Sequence, residues 1–209
     1  MDHSSRAVSR ATRRSAGWVE SLGGPLIVVP VSVLAEWGGC SENWGEEPGS
    51  AEDYDRACAV EDWAGLLDVG STGAQALVLA DEPATSRYLP EQRVFVRWLA
   101  ADSESELLAA AQDVLADADA EWEDVGVWET DGPAVLMDST TPGAELNEEY
   151  PDGGRPEQAP VALPAGRWRV RAVHTPGEFP WVGVVQLLPE GGVLSGGAGS
   201  VGEEDASAE

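Results

Sequence analysis

Two histidines and two cysteines are the side chains best suited to act as a nucleophile, base or soft metal ligand, and none stands in a recognisable motif. His3 lies at the start of the chain. His174 ends RWRVRAVH (167–174), where it shares strand parity with Trp168, Val170 and Ala172, so it reads as a satisfied histidine at a strand end. Cys40 and Cys58 are too few for a disulfide scaffold or a zinc cluster, and read as reduced, partly buried thiols. No serine sits in a nucleophile elbow, and no glycine-rich loop carries a lysine for a phosphate. Carboxylates are so abundant that a glycosidase-like pair arises by chance. The expectation is a protein without catalytic residues, metal or cofactor.

Binding chemistry is better represented. The chain of 209 residues has 38 acids against 12 arginines and no lysine, a formal net charge of −26. Residues 1–16 hold four of the arginines and one acid, so the remainder is more acidic still. Such a surface repels nucleic-acid phosphates and anionic lipid, and suits a basic protein partner. Six acids (Glu42, Glu46, Glu47, Glu52, Asp53, Asp55) crowd around Trp44 and Tyr54. An aromatic anchor framed by carboxylates is what an interface to a basic protein uses, so Trp44, Glu46, Glu47, Asp53, Tyr54 and Asp55 are the candidate partner-binding residues. The competing readings are a solvated loop whose tryptophan folds back on the domain, and a calcium site, for which EF-hand spacing is missing.

Arginines 167, 169 and 171 share one face of their strand. They read either as a stripe gripping an anion or, preferably, as a cross-strand ladder against Glu121, Glu123 and Glu129. Arg93 and Arg97 are expected to pair with surface carboxylates. Nine tryptophans are many for this length. Seven lie in or beside strand patterns and are assigned to the core, although a Trp-lined groove would give a ligand-binding or scaffold module instead.

The positioning elements follow from periodicity. Ser103 and Glu106 form a capping box ahead of Leu107, Leu108, Ala111, Val114 and Leu115, which predicts a helix over 103–117. VSVLAEW predicts a short helix over 31–37, closed by Gly38-Gly39. Strand patterns fall at 18–29, 64–69, 74–80, 92–99, 121–129, 133–138, 167–174 and 181–188, with a hairpin at Gly70–Gly73. About seven strands with few helices predict an α+β fold with a mainly antiparallel sheet. The expected organisation is a disordered Arg-rich extension (1–16), one domain (17–189) and a disordered Gly/acid-rich tail (190–209). Segments 39–57 and 139–160 read as irregular, the second as a mobile flap. The apolar run 25–35 is short, interrupted by Pro30 and followed by Trp37 and Cys40, a poor imitation of a lipoprotein signal. A cytoplasmic protein is expected.

In order along the chain come WVESLGGPLIVVPVSVLAEWGGC (18–40), DYDRACAV (53–60), LLDVG, ALVLADEPATSRYLP (76–90), FVRWL, ETDGPAVLMDS (129–139), GRWRVRAVH (166–174) and WVGVVQLLP (181–189). Together these segments resemble the Imm21 family of immunity proteins, associated with bacterial polymorphic toxin systems. The resemblance spans about 18–189. It implies a stoichiometric inhibitor that protects a cell by occluding a cognate toxin. From the charge comes the further expectation of a basic, nuclease-type toxin.

Overall fold

In the computed structural model, residues 15–40, 52–175, 177 and 179–191 are described. Eleven strands form two antiparallel sheets. They are β1 (Trp18–Val19), β2 (Leu26–Pro30), β3 (Gly65–Val69), β4 (Ala74–Leu79), β5 (Ser86–Leu89), β6 (Val94–Ala100), β7 (Glu123–Thr130), β8 (Ala134–Asp138), β9 (Gln158–Val161), β10 (Gly166–His174) and β11 (Trp181–Pro189). One sheet has the order β1-β5-β6-β11-β10-β7, the other β3-β4-β2-β8-β9. The helices are α1 (Asp53–Cys58) and α2 (Glu104–Ala116).

Three apolar layers explain the arrangement. Leu26, Val28, Leu77, Leu79, Phe95, Trp128, Leu136, Trp168, Val170 and Leu187 fill the space between the sheets. Val94, Val96, Val182 and Val184 lie on the outer face of the six-stranded sheet, beneath Leu107 and Ala111 of α2. Ile27, Val29, Val78 and Met137 lie on the outer face of the five-stranded sheet, under Val33, Trp37 and Ala57. β2 is therefore covered on both faces, which is why it reads LIVVP with every residue buried rather than alternating, while the outer faces of β7 and β10 stay open to solvent.

The α+β class and the antiparallel pairing agree with the sequence, but the single sheet of about seven strands becomes two sheets with eleven. The stretch 18–29 divides into β1 and β2. The expected helix 31–37 is a 3₁₀ turn over Val31–Glu36, where the Trp37 N–H donates to the Leu34 carbonyl at 3.2 Å. The helix placed at 103–117 is α2, and the Ser103 side chain accepts from the Glu106 N–H at 3.2 Å as the capping box requires. Segment 139–160 is held at both ends, for Ser139 and Leu146 are buried and its end becomes β9, while residues 147–155 between them are exposed. Gly39 and Gly143 let this segment cross the 3₁₀ turn closely, for a Cβ on Gly143 would lie 1.8 Å from the Leu34 carbonyl oxygen. Of the two presumed terminal extensions, Ser15 and Glu190 are described. Ser15 hydrogen-bonds Glu104, and Glu190 pairs with Arg167.

Candidate functional site

The row His174–Gly183–Arg97 runs across three neighbouring strands, β10, β11 and β6, at one end of the space between the sheets. Glycine in the middle of the row leaves room above the central strand. A Cβ on Gly183 would come within 2.9 Å of the His174 ring and 3.1 Å of the Arg97 Cβ. The two side chains meet in that room, with Arg97 Nη1 3.0 Å from His174 Nε2. A guanidinium has only donors, so Nε2 is the acceptor and the imidazole proton sits on Nδ1, which faces Asp81 Oδ2 at 3.4 Å. Trp63 stacks on the imidazole at 5.0 Å and 14°.

Arg97 is 1% exposed. Its remaining bonds go to backbone: Nη1 to the Trp63 carbonyl at 3.3 Å and Nη2 to the Glu82 carbonyl at 2.5 Å. Sequence parity placed Arg97 correctly beside Phe95, but that face is the interior, so the expected surface ion pair does not form. Burial lowers its pKa to about 10, and it stays charged at neutral pH.

Burial first, then the neighbouring Arg97 charge, lower His174 to about 4, with Asp81 opposing. The folded protein therefore keeps His174 neutral while an unfolded chain takes up a proton near pH 6.5. Above that pH the group contributes nothing to the pH dependence; between about 6.5 and 4 the unfolded state gains protons and stability falls. Imidazole ¹³C–¹H spectra should show His174, identified by its loss in His174→Gln, unshifted until below pH 5. Titration near the ordinary value would contradict the Arg97 contact.

Above this buried pair lies a cavity of about 330 Å³ lined by Trp63, Asp81, Glu82, Leu99, His174, Thr175 and Trp181. Asp81, at φ 67°, turns the chain out of β4, and its side chain is 44% exposed. Trp181 is 45% exposed and Phe179, close by in sequence, 50%. Trp181 therefore leaves the core to which the sequence assigned it, while Trp37 and Trp128 are fully buried. Both nitrogens of His174 are engaged, and the Thr175 hydroxyl bonds the Val182 backbone. The cavity thus offers flat aromatic walls and carboxylates for binding. A shallower depression of about 610 Å³ borders Glu129 and Arg167, which pair with one another.

The residues singled out from sequence are only partly brought together. Trp44, Glu46 and Glu47 lie outside the described residues. Asp53, Tyr54 and Asp55 form the first turn of α1, where Asp53 Oδ2 accepts the Gly38 N–H at 2.9 Å and Oδ1 pairs with Arg56 at 2.8 Å. Arg56 also donates to the Asp68 carbonyl at 2.8 Å, which pins the segment to the sheet. The half-buried Tyr54 ring packs over Gly24, and its hydroxyl is pushed up to about 12 by a hydrogen bond to Cys58, then by burial. Asp55 is exposed. The arginine stripe forms a ladder in which Arg167 meets the expected Glu129, whereas Arg169 pairs with Asp124 and Arg171 lies over the Trp122 ring at 4.0 Å. A register shift at Val170/Arg171 brings Asp124 opposite Arg171 and leaves it within reach of Arg169.

His174 was the one cavity residue visible as chemistry in the sequence. The usable signal for the rest was Gly183, a glycine inside an otherwise apolar strand, which marks a close approach. Among the described residues no group of three or more His, Cys, Asp or Glu could hold a metal ion, and no helix is long and apolar enough to cross a membrane. The model of the Imm21 family, immunity protein 21, matches residues 17–178. No curated protein and no solved structure matches the chain.

Proposed function

Since the chain belongs to the Imm21 family of immunity proteins, we propose that it neutralises a cognate toxin by binding it and covering its working surface, without catalysis. The family match over 17–178 carries this reading. Charge supplies the partner's chemistry. At −26, the protein attracts a basic surface, such as the one with which a nuclease toxin holds phosphates. The acidic segment around Trp44, Glu46, Glu47, Asp53, Tyr54 and Asp55 is part of the proposed contact, with the cytoplasm of the protected cell as the place of action.

Co-expression with the product of the adjacent toxin-like gene tests this directly. A purified complex and restored growth are expected; no complex and no rescue would sink the idea. Steering by opposite charge should also make association salt-sensitive. The association rate should fall roughly tenfold or more between 50 and 500 mM salt, as screening shortens to a few ångströms, while dissociation changes less. A ligand-binding module is the second reading, favoured by Trp63 and Trp181 at the rim of one cavity. It asks for several exposed tryptophans, and of the eight described, Trp181 alone is classed as exposed.

A further inference from the structure

We propose that the cavity between the ends of β4, β6, β10 and β11 receives an arginine side chain of the toxin partner, an assignment that rests on the toxin-binding reading above. Size is the first argument. At about 330 Å³ the cavity lies at the small end of ligand pockets, roughly 300–1,000 Å³, so it has room for one long side chain rather than a folded segment.

Lining chemistry is the second. Trp63 and Trp181 supply indole walls, Leu99 an apolar surface for a methylene stem, and Asp81 and Glu82 the counter-charge. Among the described residues neither carboxylate forms an ion pair with an arginine; Arg97 takes the Glu82 carbonyl, not its side chain. Glu61 and Asp62, both exposed, precede Trp63 in sequence. Nearby Glu123 accepts from the Trp63 N–H, and its carboxyl is raised by burial and then by the Asp62 charge.

Arg97 lies behind the neutral imidazole rather than in the lining, and its one charge already draws on Asp81 and Glu82, so the two carboxylates keep one net negative charge for an incoming cation. The imidazole also stacks on Trp63, so one wall is fixed before a ligand arrives. A guanidinium fits these groups better than an ammonium: it is planar, stacks on indole, pairs with carboxylates through two donors and sheds water more readily. An anion would meet Asp81 and Glu82 first.

The test titrates the full-length protein with N-acetyl-arginine methylamide, its neutral isostere N-acetyl-citrulline methylamide, and N-acetyl-lysine methylamide. Indole N–H resonances are assigned through Trp63→Phe and Trp181→Phe. Saturable shifts of both resonances with the arginine compound are expected, at least tenfold weaker with the other two and abolished in the double variant Asp81→Asn/Glu82→Gln. Asparagine keeps an acceptor for His174 Nδ1–H and tolerates the positive φ of position 81, so the double variant should fold. No response, an equal response to citrulline, or a stronger one to lysine would overturn the assignment.

Neutralisation by co-expression separates the two readings. If the wild type binds no toxin, the toxin-binding reading fails by itself. If the wild type protects and both the double variant and Trp181→Ala protect equally well, the cavity assignment fails while toxin binding stands. Loss of affinity on the order of a hundredfold in Trp181→Ala, with an unchanged melting temperature, is the expected result.

Discussion

Arg97→Ala is expected to lower the free energy of unfolding by about 2–4 kcal/mol, from acceptors left without their donor and from the lost packing. Three acceptors lose their donor at once: the carbonyls of Trp63 and Glu82 and the Nε2 of His174. The buried His174 Nε2 left unpaired costs about 1–3 kcal/mol, the part-buried carbonyls of Trp63 and Glu82 less because water reaches them, and the truncated side chain leaves a void between the sheets. Arg97→Lys should recover less than half of the loss, because one compact ammonium cannot reach acceptors placed for a planar fork. Urea unfolding followed by tryptophan fluorescence measures both. A loss under about 1 kcal/mol for Arg97→Ala would mean that water reaches these groups and the pair is not interior.

Gly183→Val should destabilise by about 3 kcal/mol, although valine is the better strand former by up to about 1 kcal/mol. The reason is the row in which Gly183 stands. Its Cβ would contact His174 on one side and Arg97 on the other, so a branched side chain forces apart the pair that meets above it. The same variant should release His174 from Arg97 and move its titration towards the ordinary value, a readout that simple overpacking elsewhere would not change. Combining Gly183→Ala with His174→Ala should cost less than the sum of the two changes, since the second removes what the first strikes. Additive losses would show that the crowding is relieved elsewhere.

Alternation and capping were legible where an element is long enough to express a period. Helix α2 spans thirteen residues and carries its Ser103 cap, so pattern and structure agree. The strands missed or merged are short. β1, merged with β2, has two residues, β5 and β9 four each, and β9 contains Pro160, which argues against a strand in any local reading. Helix α1 has six residues and owes its place to Asp53 and Arg56 rather than to an apolar stripe. Parity on β6 was right and its consequence wrong. Alternation tells which side chains share a face; that both faces of β6 are covered depends on α2 and on the second sheet, elements not visible within the strand itself.

The same limit applies to the cavity. Trp63, Asp81, Glu82, Leu99, His174 and Trp181 converge from five separate segments, so no spacing links them. The sequence drew attention to Trp44 and Tyr54, where carboxylates are adjacent along the chain; the grouping of indoles and carboxylates at the cavity arises on folding and leaves no linear mark. Tyr54 rests on Gly24, and Asp53 accepts from the backbone of Gly38.

The register shift in β7 has a consequence for how any partner approaches. β7 and β1 border one sheet, β3 and β9 the other. The β7 border is bent at Gly126, with φ 118°, and carries Glu123, Asp124 and Glu129; β9 lacks one N–H at Pro160; β1 offers two residues. Each of these devices discourages a foreign strand from adding to the ladder. Recognition by β-augmentation is thereby disfavoured at three of the four borders, and a visiting protein meets side chains instead of open backbone. For the toxin contact proposed above, specificity would then reside in side chains that can change one at a time without disturbing the sheets.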